Sequence, residues 1–131
     1  MISISHLREI AKARLEDAEV LFKNQRPDGA WYLCGYAVEL TLKAWICITL
    51  NWREFPETKS DFQNLTSFKT HKLDMLLKLS GQEEWIRREH LWAWTAVSNW
   101  DSETRYQPIG KVDEAEVIFM LIAANHFLEV L

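Results

Sequence analysis

Residues 30–50 read AWYLCGYAVELTLKAWICITL, and the fold turns on whether this stretch crosses a membrane or sits inside a protein. It has the length of a bilayer span, but Glu39 and Lys43 stand at its centre. Each would cost several kcal/mol in hydrocarbon. Trp31, Leu33, Ala37, Val38, Leu40, Leu42, Ala44, Trp45 and Ile48 cover nearly every side of the helical wheel. A helix that is apolar nearly all round is packed by neighbours on several sides. We read it as the buried central helix of a bundle.

The flanking sequence supplies those neighbours. Ile4, Leu7, Ile10, Ala11, Leu15, Ala18, Leu21 and Phe22 recur every three or four residues, with Arg8, Glu9, Lys12, Glu16 and Asp17 on the other face, which predicts an amphipathic helix over 3–24. Pro27, Asp28 and Gly29 make a short turn before the central helix, and short connections imply antiparallel packing. From Asn51 to Lys69 no period survives, so a long loop is expected. Thr70 is the natural cap of a short third helix over 71–79, closed by Ser80-Gly81. A fourth helix is predicted over 82–100, with Trp85, Ile86, Trp92, Ala93, Ala96, Val97 and Trp100 on its apolar stripe and Glu89 unexpectedly within it. After a second loop, Asp101 to Gly110, the pair Asp113 and Glu116 has the spacing of a capping box. Ala115, Ile118, Phe119, Ile122, Ala123 and Phe127 then predict a final helix to the chain end. The expected architecture is all-α: an antiparallel up-and-down bundle of four long helices plus one short helix, forming a single domain over residues 1–131.

Composition narrows the function classes. The chain has 131 residues, 48% hydrophobic and 26% charged, the profile of an ordinary globular domain. A net charge of −4 gives no bulk attraction to nucleic acid or anionic lipid, so binding of either needs a local patch. The opening MISISHLREIAKARLEDA lacks an apolar signal core, and we expect a cytoplasmic protein without a membrane anchor. Cys34 and Cys47 are the only cysteines, ~20 Å apart on one helix by its rise per residue, so they cannot pair with each other. His6, His71, His90 and His126 have no metal-pair spacing, and we expect no metal and no cofactor. No GxSxG, Walker or GxGxxG motif is present.

Two features can carry chemistry. Tyr32, Tyr36, Glu39 and Lys43 are spaced 4, 3 and 4, which puts them in one line along the central helix. Such a line either pairs with itself on an exposed edge or walls a groove, and periodicity does not separate the two. Arg105-Tyr106 in the second loop can clamp a phosphate or stack on a base, although an arginine that simply pairs with a carboxylate is the blander reading. Lys69, His71 and Lys72 with Lys78, and Arg87-Arg88, read as solvated helix faces.

Four segments in order, LEDAEVLFKN (15–24), GAWYLCGYAVELTLKAWI (29–46), THKLDMLLKL (70–79) and RYQP (105–108), give the chain its resemblance to the HEPN domains (higher eukaryote and prokaryote nucleotide-binding). AVELTLKA, with Glu39 and Lys43, is the most specific of them. The resemblance implies an antiparallel helical bundle that commonly forms homodimers and is often encoded beside a small nucleotidyltransferase. It singles out Glu39, Lys43, His71, Arg105 and Tyr106. Some such domains bind nucleotides in a groove; others are metal-independent ribonucleases of toxin–antitoxin or defence systems that use an Arg and a His four to six residues apart. No histidine of this chain follows an arginine at that spacing. The expectation is therefore a non-catalytic, homodimeric module that binds a nucleotide or nucleic-acid end, or docks onto a nucleotidyltransferase, with ligand contacts from Tyr32, Tyr36, Glu39, Lys43, His71, Arg105 and Tyr106. The alternatives are a ribonuclease with a degenerate Arg/His site, in which Arg105 works with His71 or His90, and a structural interaction domain with a Trp-rich surface (Trp92, Trp94, Trp100 or Trp52). Leu91 and Trp94 fall off the stripe of the fourth helix, and covering them predicts a dimer.

Overall fold

A computed structural model describes residues 1–131 and shows an all-α fold. Helix α1 spans Ile4–Lys23, capped by Ser3, whose side chain accepts from the His6 amide at 3.2 Å. Its face of Leu7, Ala11, Leu15 and Ala18 is buried, as the three-and-four spacing predicts. Gln25 adopts a left-handed conformation (φ 58°), and Pro27 opens the central helix α2, Pro27–Leu50, three residues earlier than the sequence suggests. Proline suits the first helical turn because the amide it lacks would be unpaired there. α2 packs against α1, α3 (Leu73–Ser80) and α6 (Glu114–Val130). By length and composition it could span a membrane, yet 61% of its apolar window is buried in the fold, so these neighbours take the place lipid would hold. One core of 30 buried apolar residues runs through all of them.

Four local expectations are corrected. First, two short strands, β1 (Ile2–Ser3) and β2 (Glu54–Phe55), pair antiparallel with Ile2 opposite Phe55. Two residues each are too few to show an alternating pattern in sequence. They tie the long loop to the start of α1, and the loop carries an aromatic cluster of its own in Trp52, Phe55, Phe62 and Phe68, with Trp52 and Phe68 4.9 Å apart.

Second, α3 begins at Leu73, so His71 lies outside the helix; Thr70 Oγ1 accepts from the Lys72 amide at 3.1 Å and shapes the approach instead of capping. Asp113 does cap α6, accepting from the Ala115 amide at 3.2 Å, but Glu116 returns no bond.

Third, the predicted long helix over 82–100 is two short ones, α4 (Glu83–Glu89) and α5 (Leu91–Val97), broken at His90 (φ −134°, ψ 31°). No glycine or proline marks the break. His90 Nδ1 lies 2.7 Å from His126 Nε2 of α6, and the edge of Trp85 meets the His90 ring. The break rotates α5 relative to the expected stripe: Trp94, expected off the stripe, is buried against Phe127, while Trp92, expected in the core, is 53% exposed. Glu89 also leaves the stripe and meets Arg88 at 3.0 Å in solvent. Trp100 is buried as well, which leaves little of the expected Trp-rich surface beyond Trp92.

Fourth, α6 buries Val117, Met120, Ala123, Ala124 and Phe127, whereas Ile118, Phe119 and Ile122, read as core, are 45%, 64% and 52% exposed. α6 is apolar on almost every side, so periodicity alone does not choose the face that meets α2 and α5.

Candidate functional site

The polar line of α2 meets two other parts of the chain. At its C-terminal end Glu39 is 1% exposed, and a carboxylate in that position needs partners. It has two. Lys43 Nζ, one turn along, donates at 2.9 Å, and His71 Nδ1 lies 3.2 Å from each carboxylate oxygen. The Lys43 ammonium also sits over the Phe55 ring of β2, 5.4 Å from its centre. Tyr36, one turn before Glu39, has its phenol pKa raised, first by burial and then by the Glu39 charge, while Arg14 of α1 acts on it in the opposite direction. Tyr36, Lys43 and His71, with Lys69 and Thr70, line a cavity of about 210 Å³. Lys69 is exposed, as its sequence context suggests, and borders this cavity.

At the N-terminal end of the line, Tyr32 meets the second loop. Its backbone carbonyl accepts from Trp100 Nε1 at 3.2 Å, and a 3-10 turn over Ser102–Tyr106, opened by the Asp101 side chain on the Glu103 amide at 2.9 Å, carries Arg105 back over α2. Further along, the Gly110 amide donates to Asp28 Oδ2 at 2.8 Å and pins the far end of the loop to the start of α2. The exposed Arg105 guanidinium lies 4.8 Å from the centre of the Tyr106 ring, and its pKa is raised above the ordinary arginine value by hydrogen bonding to the Tyr32 side chain and then to Tyr106. Tyr32, Arg105 and Lys111 face a second cavity of about 220 Å³. Tyr106 itself is 71% exposed.

The two ends are joined by the Tyr32 and Tyr36 rings, nearly parallel at 4° with centroids 6.5 Å apart. Tyr32 to Lys43 covers ~16 Å of helix axis. All seven residues that the sequence singles out therefore lie along one strip, in two clusters: Tyr36, Glu39, Lys43 and His71 at one end, and Tyr32, Arg105 and Tyr106 at the other. Sequence reading took Thr70 for a helix cap and Lys69 for a solvated face, and passed over Arg14 and Lys111; the one available signal was that Lys69-Thr70 directly precedes His71. Larger depressions of about 790 Å³ along Thr58–Lys69 and about 500 Å³ between α1 and α6 place no partner of a buried carboxylate on their walls. Chemistry, not volume, marks the strip.

Charge differs between the ends. Lys43 and Lys69 face Glu39 and Glu57 around the first cavity, while Arg105 and Lys111 face Asp28 alone around the second. An anion gains more at the Arg105 end. No group of three or more His, Cys, Asp or Glu side chains converges as a metal site would require. Cys34 and Cys47 are buried and free, with burial pushing their thiols up to about 12 and about 11.

The order of these features along the helices is that of a known family. Residues 4–131 match the HEPN domain. The chain belongs to the HEPN family. Comparison with curated proteins and with solved structures gave no match. HEPN membership agrees with the helical bundle described above, and it leaves the ligand and partner of this HEPN domain to be argued from the strip itself.

Proposed function

We propose that this HEPN domain is a non-catalytic binding module for a nucleotide or a nucleic-acid end, with the α2 strip as its site. The observation that carries this reading is the continuity of the strip: a guanidinium beside an excess of positive charge at one end, two parallel phenol rings in the middle, and an imidazole with two lysines at the other. Guanidinium suits a phosphate and aromatic faces suit bases. Arg105 has Tyr32 and Tyr106 as its partners, His90 is taken up by His126 and Trp85, and His71 is held by Glu39 in the other cluster of the strip, an arrangement that favours binding over the paired Arg and His of a ribonuclease.

Calorimetry with ATP, GTP and a short single-stranded RNA tests the reading, with the RNA checked afterwards for cleavage. Binding without cleavage, lost in Arg105→Ala, is the expected result. Arg105 is exposed and outside the core, so its removal leaves the fold intact. Cleavage of the RNA would move the assignment to a ribonuclease. Absence of all binding would leave partner docking, onto a nucleotidyltransferase for example.

We further propose that the module is a homodimer. Ile118, Phe119 and Ile122 on α6, with Leu91 and Trp92 on α5, are each at least 45% exposed. Ile118, Ile122 and His126 succeed one another at four-residue spacing, and Trp92 packs on His126 at 4.8 Å, which makes the exposed side chains one stripe. A contiguous apolar surface of this kind favours a partner.

A further inference from the structure

Resting on the reading of the strip as a nucleic-acid site, we infer that His71 selects ribonucleotides over deoxyribonucleotides by accepting a hydrogen bond from a ribose 2′-hydroxyl. Glu39 sets the geometry. An ionised carboxylate only accepts, so the His71 nitrogen facing it, Nδ1, carries the hydrogen. In the neutral ring this fixes the tautomer: Nε2 has the lone pair. The imidazole side chain is 66% exposed, and Nε2 has no partner within the protein. A buried carboxylate thus orients an exposed ring so that one acceptor faces the outside.

The surroundings decide what that acceptor takes. Lys43, Lys69 and Thr70 share the cavity wall with His71. Both lysines are donors, and Thr70 Oγ1, which accepts from the Lys72 amide, keeps its own hydrogen to give. The charges here balance, Lys43, Lys69 and the Met1 ammonium against Glu39, Glu57 and Asp61, so a further anion gains little. One acceptor set among several donors suits a neutral group that gives one hydrogen bond and receives others. A hydroxyl does both; an exocyclic amino group of a base gives without receiving. In nucleic acid the internal group of that kind is the ribose 2′-hydroxyl. Phosphate at Arg105, base faces on Tyr32 and Tyr36, and a sugar hydroxyl at His71 then succeed one another along a single strand.

The test is fluorescence anisotropy with labelled five-nucleotide oligoadenylates that differ only at the 2′ position: hydroxyl, hydrogen, O-methyl and fluorine. A hydroxyl that must donate cannot be replaced by O-methyl or fluorine. The wild type is expected to bind the 2′-hydroxyl strand about three- to tenfold more tightly than each of the other three, the span of a single neutral hydrogen bond. His71→Ala is expected to lower the 2′-hydroxyl strand to the level of the others and to leave DNA binding within about twofold. A role for His71 in holding the fold would weaken all four strands alike, and that result overturns the inference. Equal affinities for the four strands in the wild type overturn it while leaving the binding reading in place, and this arm stands even if His71→Ala unfolds. A 2′-hydroxyl preference that persists in folded His71→Ala overturns it too. If no strand binds at all, both the inference and the reading beneath it fall.

Discussion

The indole of Trp100 lies directly over Gly35: a Cβ on residue 35 would stand 2.2 Å from three carbons of the indole. Trp100 is 5% exposed and donates to the Tyr32 carbonyl, so it has no free direction in which to withdraw. It also begins the loop that carries Arg105. Gly35→Ala should therefore destabilise the fold by about 1–3 kcal/mol, as overpacking of a filled core does. The midpoint of thermal unfolding, followed by tryptophan fluorescence, is expected to fall by several degrees. Ligand affinity should fall with it because the loop shifts. An unchanged midpoint would mean that the loop moves aside freely.

The Glu39 cluster gives a larger effect. Glu39→Ala leaves the Lys43 ammonium, 14% exposed, without its carboxylate. Breaking a buried pair from one side costs about 3–5 kcal/mol, whereas an exposed pair such as Arg87 with Glu83 contributes about 0–1 kcal/mol. Urea unfolding of Glu39→Ala beside Glu83→Ala checks the contrast. Similar midpoints for the two variants would show that Lys43 re-solvates once its partner is gone.

How far the sequence could be read depended on how one-sided each element is. α1, with four buried residues on one face and charges on the other, was legible to within a residue at each end. α2 was legible as central because it is apolar all round, and its one polar line picked out the strip. The same apolar-all-round character hid the orientation of α6, since Ile118 and Val117 are equally good core residues until α2 and α5 choose between them. The break at His90 was illegible because no glycine or proline marks it and the contact that accompanies it, with His126, joins positions 36 residues apart. For the site, residues on α2 were found through helical spacing, Arg105 and Tyr106 through the chemistry of their side chains, and His71 through family resemblance. Lys69 and Lys111 lie in aperiodic loops, where no pattern links a position to its place in space.

The two thiols offer a prediction with a definite direction in pH. Burial, the leading cause in each case, raises Cys34 to about 12 and Cys47 to about 11 from an ordinary value of 9.0. The nucleophile is the thiolate, so both cysteines should resist an alkylating or disulfide reagent at pH 8 in the native protein and react fully once it is unfolded in urea. The native state holds these protons more tightly than the unfolded chain does. Their contribution to stability is therefore complete below pH 9 and is lost as pH rises from about 9 through 11 and 12. Urea midpoints measured between pH 8 and 11 should fall. Fast labelling of the native protein at pH 8 would show that the bundle opens around α2.

The exposed stripe of α5 and α6 leads to the prediction about assembly. A stable interface buries roughly 800 Å² on each partner, and large apolar side chains at its centre carry most of the binding energy. Phe119, 64% exposed, stands in the middle of the stripe between Ile118 and Ile122. Phe119→Glu puts a charge where an apolar partner surface would lie, and residue 119 is not among the side chains packed on the monomer's core, so the monomer should stay folded. Sedimentation at micromolar concentration is expected to give a dimer for the wild type and a monomer for Phe119→Glu, with the same helical circular dichroism for both. If the wild type sediments as a monomer, the homodimer is wrong and the stripe is left for a different protein. A dimer that survives Phe119→Glu would place the interface elsewhere on the bundle.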